Sequence, residues 1–143
     1  MTQDPIRPAL ARRAWHIAAI CLCTALLAAC AGRPDFATLE TRVVPDSALE
    51  TGDSATLRVA LESLEADGAR GELIAETTSS QVSDTPMDVS LQFDARAIET
   101  ERNYALIAEI RDDGRITHRN SEQVEVTGAQ IGSQRIEIPL TPR

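Results

Sequence analysis

The chain contains no lysine: its 14 basic residues are all arginines, set against 22 acids, for a formal charge of −8 over 143 residues. Aromatic residues are almost as scarce, with Trp15, Phe36, Phe93 and Tyr104 the whole complement. There is no glycine-rich phosphate loop, and histidine occurs only at positions 16 and 118. The longest uncharged apolar run, Ile17 to Ala29, has 13 residues, short of the roughly 20 that span a bilayer as a helix. Each shortage excludes something. An acidic chain is a poor ligand for nucleic acid or for anionic lipid through charge alone. Few rings argue against a stacking platform for sugars. A short apolar run argues against a membrane-spanning helix.

All three cysteines, Cys21, Cys23 and Cys30, fall in one apolar stretch near the amino terminus. Upstream of it, Arg7, Arg12 and Arg13 outweigh Asp4. A basic region, a short apolar region and small residues at its end are the parts of an export signal. The Arg12-Arg13 pair lacks the usual flanks of a twin-arginine motif and reads as a simple basic region. The stretch ends Leu27-Ala28-Ala29-Cys30, which has the form of a bacterial lipobox. That reading predicts cleavage before Cys30, with diacylglycerol on its thiol and an acyl chain on its amine. Residues 1–29 are then the signal peptide, 30–35 a lipidated tether and 36–143 the domain. Cys21 and Cys23 leave with the signal, so the mature chain has no internal disulfide and no thiolate chemistry. Ala31 follows the cysteine where many inner-membrane lipoproteins carry Asp. The expected location is therefore the periplasm-facing side of the outer membrane.

From Cys30 onward there are 114 residues, enough for one small domain, with 21 acids against 11 arginines. Its segments alternate with a period of two, the mark of half-buried strands. Met87, Val89, Leu91 and Phe93 alternate with Asp88, Ser90, Gln92 and Asp94; a helix would scatter these groups around its axis. Comparable segments run over 36–44, 55–62, 72–78, 103–111, 115–119, 123–127 and 134–140. On these readings Leu73, Ala75 and Thr77 share one face, opposite Glu72, Ile74 and Glu76, and Tyr104, Leu106, Ala108 and Ile110 face inward. Asp112-Asp113-Gly114 reads as a hairpin turn, Ala95 to Arg102 as a crossover with one helical turn, and Pro139 as the mark of an edge strand. Seven or eight one-sided strands and no long helix predict an all-β fold. The expected form is a small antiparallel β-sandwich, immunoglobulin-like or transthyretin-like.

Candidate chemistry is thin. His118 is the only histidine of the mature chain, and a lone strand histidine is ordinarily a surface or edge side chain rather than a base. The acids near Gly68 and Gly114 serve turns, and neither loop is long enough to converge on calcium. No catalytic residue, metal ligand or cofactor is expected beyond the lipid on Cys30, and the chain reads as a non-enzyme. Phe93 and Tyr104 belong to the core by register; Phe36, just after the tether, is the one ring expected to lie exposed. The polar segment Thr78 to Thr85 reads as a solvated loop or, more sharply, as a binding edge.

Three stretches in order, Ser54 to Gly68, Glu72 to Thr78 and Met87 to Asn120, together with a final strand, resemble the YbaY-like lipoproteins grouped with the YscW-type type III secretion pilotins. The resemblance is carried by Phe93, Asp94, Ile98, Tyr104, Leu106, Ala108, Ile110 and Gly114, and covers about Val43 to Leu140. It implies a small β-sandwich on a lipid anchor. For the pilotin branch it implies help in placing secretin subunits in the outer membrane. The expected function is thus a lipid-anchored envelope module that binds an envelope protein, a secretin or another outer-membrane assembly. A periplasmic small-molecule or glycan-binding lipoprotein is the alternative.

Overall fold

A computed structural model describes residues 35–143. The segment expected to be a signal peptide (1–29, with Leu27, Ala28 and Ala29), Cys30 and the expected tether to Pro34 lie outside the described residues. The remainder forms eight strands: β1 (Phe36–Pro45), β2 (Thr56–Leu64), β3 (Arg70–Ser79), β4 (Met87–Asp94), β5 (Asn103–Asp112), β6 (Arg115–Arg119), β7 (Val124–Thr127) and β8 (Ile136–Pro142). One 3₁₀ turn, Ala95–Ala97, follows β4, capped by the Asp94 carboxylate on the Arg96 amide. It is the single helical turn expected in the crossover.

Alternation becomes burial. Met87, Val89, Leu91 and Phe93 are buried while Asp88, Ser90 and Gln92 are exposed. Each fully buried Leu of the core, such as Leu39, Leu61 and Leu91, contributes roughly 1.5–3 kcal/mol relative to exposure. Phe93 and Tyr104 join the core, and Phe36 stands 62% exposed. In β1 the central core position is polar, Thr41. That residue is fully buried, and its hydroxyl donates to the Val89 carbonyl at 2.8 Å, which satisfies a group that would otherwise be costly to bury.

The sheet itself departs from the expected form. Its order is β3-β2-β5-β6-β8-β1-β4, with β7 also on β5. It does not resolve into two separate antiparallel sheets, because β8 pairs with both halves. Residues Ile136 to Leu140 run parallel to β1, and Thr141 and Pro142 run antiparallel to β6. The result is one nearly closed, barrel-like sheet whose ends are β3 and β4. All-β is right; the two-sheet sandwich is not what the pairing forms, and one of its pairs is parallel.

Two further expectations change with the pairing. Pro139 lies on an internal strand, not an edge. Leu140 accepts from the Asp46 amide at 3.0 Å, so Leu140 faces β1 and, by alternation, Pro139 faces the other side. There β6 pairs only with Thr141 and Pro142, so no ladder bond is lost. Leu73 is 49% exposed while Ala75, expected on the same face, is buried. The β2–β3 register shifts after Leu61↔Ala75, so that Glu62 pairs with Leu73. The extra residue, Ile74, turns toward the core in its place, as a bulge does.

Candidate functional site

The sheet fails to close between β3 and β4, and a cavity of ≈ 440 Å³ opens there. Leu57, Met87 and Val89 supply its apolar lining; Thr77 and Ser79 of β3 face them, and Ser90 stands at the β4 side. The connecting loop, from Ser80 to Pro86, borders it through Gln81, Val82 and Ser83. Within that loop the Ser83 hydroxyl lies 3.0 Å from the Thr85 hydroxyl, and the Ser83 amide donates to the Met87 sulfur at 3.4 Å. The polar segment singled out in the sequence therefore rims the seam. Shallower concavities of about 350 and 310 Å³ lie over Ile107, Ile116 and Arg119, and beside Thr38, Gly132 and Arg135.

Ion pairs line the outer surface on both sides of the seam. On β4, Asp88 is held by Arg42 at 2.8 Å and Arg135 at 3.6 Å; the hydrogen bond from Arg42 keeps its carboxyl below the usual carboxylate range. On the other side, Arg58 reaches Glu76 and Glu109, and Arg111 reaches Glu109 at 2.9 Å. Asp94 is similarly lowered by Arg96.

His118 is not the surface side chain expected of it. It is 8% exposed, opposite core-facing Ile110 on β5, with Nδ1 3.1 Å from the Thr117 hydroxyl. Its place is structural. Among the described residues, no group of three or more His, Asp or Glu side chains converges as metal ligands would. Phe93 and Tyr104 are buried, so neither offers a ring to a sugar.

The Asp112 hairpin behaves as a clamp. Asp113 and Gly114 both have positive φ, 47° and 77°, which a two-residue I′ turn requires. Asp112 accepts from the Ser54 hydroxyl at 2.6 Å and the Gly52 amide at 2.7 Å. These two bonds, the Ser54 one first, hold its pKa below the ordinary 3.8. A carboxylate with a depressed folded pKa contributes stability above its unfolded value and loses it as pH falls through the folded one. Asp112→Asn is therefore expected to be less stable than the wild type at pH 7, with the gap closing below about pH 4. Urea denaturation at stepped pH measures this; a gap independent of pH would refute it.

Two residues that hold this framework together escaped the sequence reading. Asn120 bonds the stretch of β5 that lies between its pairings with β7 and β6, and Gly128 lets the chain after β7 touch the crossover before β5. Neither lies in an alternating segment, so periodicity carries no sign of them. A polar residue directly after a strand was the only hint at Asn120.

Comparison with known families matches residues 37–138 to the model described as "Type III secretion system lipoprotein chaperone (YscW)". Among solved structures, the chain is similar to an alternative pilotin from the type II secretion system of Vibrio cholerae. The two share 19% identity at a TM-score of 0.65, over 76% of this chain and 98% of the other. At that identity the likeness speaks for the fold. No curated protein matches the sequence.

Proposed function

Because the chain belongs to the YscW family of type III secretion system lipoprotein chaperones, we propose that it is a pilotin-type envelope lipoprotein. It binds a secretin subunit and helps place it in the outer membrane. The family match carries this reading, since it spans nearly the whole described domain. The chain acts by binding, without catalysis. The lipid on Cys30 anchors it to the periplasm-facing side of the outer membrane, the five residues after it serve as tether, and the acidic domain projects into the periplasm. A solved pilotin of the same fold supports the structural side of the reading. The glycan-binding alternative has no comparable support, since Phe93 and Tyr104 are buried and only Phe36 stands exposed.

Cys30→Ser removes the acylated thiol. Anchoring by acyl chains scales with the CH₂ groups buried in the bilayer, so the variant is expected to move from the membrane fraction to the soluble periplasm. Outer-membrane secretin should fall with it. Unchanged fractionation would sink the lipid anchor. A normal amount of outer-membrane secretin after deletion of the gene would sink the pilotin role.

A further inference from the structure

The free edge of β4 is the least defended in the domain. As the last strands in the order, β3 and β4 each leave one row of backbone groups unpaired. Bulges bend β3 between Leu73 and Ala75 and again between Arg70 and Leu73, where it carries extra residues against β2. Natural edges of any length are blunted by such bulges, by proline or by inward charge. In contrast, β4 runs eight residues without glycine, proline or bulge.

Which of its backbone groups face outward can be read from two bonds. The Ala95 amide donates to Asp35 of the chain entering β1 at 2.7 Å. The Thr41 hydroxyl of β1 reaches the Val89 carbonyl at 2.8 Å. Backbone groups alternate sides along a strand, so positions 89, 91 and 93 bond β1. The amides and carbonyls of Asp88, Ser90 and Gln92 then point away from the sheet. Those of Asp88 and Ser90 lie beside the ≈ 440 Å³ cavity with its apolar lining of Leu57, Met87 and Val89.

Charge restricts the occupant. Asp88 lines the cavity, Asp84 lies in the loop that borders it, and Glu76 precedes the lining residue Thr77 on β3. Arg42 and Arg135 meet Asp88 and Arg58 meets Glu76, but Asp84 belongs to none of the ion pairs formed among the described residues. The chain from Cys30 onward is acidic as a whole. A second copy would bring like charge against like, whereas a basic segment would be drawn in.

We propose that β4 takes up an extended segment of the partner as an added strand. The segment alternates small or aliphatic residues toward the cavity with arginine or lysine toward solvent. Main-chain bonds to Asp88, Ser90 and Gln92 supply the pairing, and the cavity supplies selection by side-chain size. This rests on the reading that the partner is a secretin subunit, and specifies how it is held.

Ser90→Pro tests it. Proline at this position deletes an outward amide and leaves the β1 ladder whole. Ser90→Ala is the control, since both variants lose the 2.8 Å bond from Ser90 to Glu40. Binding of the purified full chain to the secretin of the same cell is measured by calorimetry, with thermal melting to verify folding. Loss of one main-chain bond and steric blocking of its neighbour are expected to weaken Ser90→Pro by about tenfold or more, while Ser90→Ala stays near wild type. Asp84→Lys should slow association. Amide exchange at Asp88, Ser90 and Gln92 should slow on binding. Equal affinity of all variants, with no exchange protection on β4, overturns the strand addition and leaves the pilotin reading standing, as docking of a helix elsewhere would. No secretin binding by wild type overturns both. A wild-type dimer that Ser90→Pro splits, seen by sedimentation, assigns the edge to a second copy and also overturns the proposal.

Discussion

Asn120→Ala is expected to destabilise the domain by about 3 kcal/mol, more than a surface substitution ordinarily does. The side chain stands in for a missing strand. Along one side, β5 is paired first by β7 (Asn103 to Leu106) and then by β6 (Glu109 to Asp112). Between these two short strands the β5 backbone would have no partner. Asn120 fills the gap. Its Oδ1 accepts from the Ala108 amide at 2.9 Å. Its Nδ2 donates to the Leu106 carbonyl at 3.2 Å and the Glu122 carbonyl at 2.8 Å, and its own amide donates to Ala108 at 3.1 Å. Ala108 and Leu106 are fully buried, and Asn120 is 9% exposed. Alanine would leave a buried amide and a buried carbonyl unpaired, each costing about 1–3 kcal/mol. Asn120→Asp keeps the acceptor but loses both donated bonds, and should cost about as much. Urea denaturation reads the change as a lower midpoint at unchanged slope. A loss below about 1 kcal/mol for Asn120→Ala would mean that water takes over the two bonds.

Gly128→Val should have an effect of similar size by a different route. Gly128 is buried after β7, and its amide donates to the Arg102 carbonyl at 2.9 Å, with Ala129 donating to Thr100 at 3.1 Å. A β-carbon at position 128 would land on the Glu99 carbonyl, with the Thr100 α-carbon 3.0 Å away. These are backbone atoms and cannot swing aside. The two segments would have to separate, breaking both bonds. Even Gly128→Ala is expected to cost about 2–3 kcal/mol, the upper part of the range for overpacking, and valine more. The crossover is fastened at its other end by Tyr104, whose hydroxyl accepts from the Glu99 amide at 2.8 Å. The damage should therefore spread to the start of β5, read as faster amide exchange at Glu99 and Gly128. A Gly128→Ala variant as stable as wild type would show that this contact yields easily.

A reader of the sequence could locate every strand to within about two residues, because period-two burial writes itself into composition. Met87 to Phe93 and Tyr104 to Ile110 are apolar at every second position for that reason. The Asp113-Gly114 turn was equally legible, since few residues tolerate positive φ. The open seam was half legible. The polar loop Thr78 to Thr85 was visible as a break between strands, but not the cavity beside it. A cavity there depends on which strands end the sheet, and strand order leaves no periodic trace.

The errors share that origin. Local alternation puts Leu73 on one face with Ala75, and a lone strand histidine such as His118 reads as a surface or edge side chain. A bulge in the β2–β3 pairing reversed the phase at Leu73, and the pairing of β6 with β5 put His118 opposite core-facing Ile110. Pro139 reads as an edge residue in the sequence because nothing local announces the parallel β1–β8 pair. Local sequence thus determined that the domain is all-β, where its strands and turns lie, and which rings are buried, all properties set by neighbours a few residues away. Only the tertiary structure decided that the sheet is continuous through β8 and stays open between β3 and β4, and that Asn120 and Gly128 hold its weakest junctions. Those outcomes depend on backbone groups far apart in the chain finding hydrogen-bond partners, and the requirement that buried amides and carbonyls be paired acts on the folded whole.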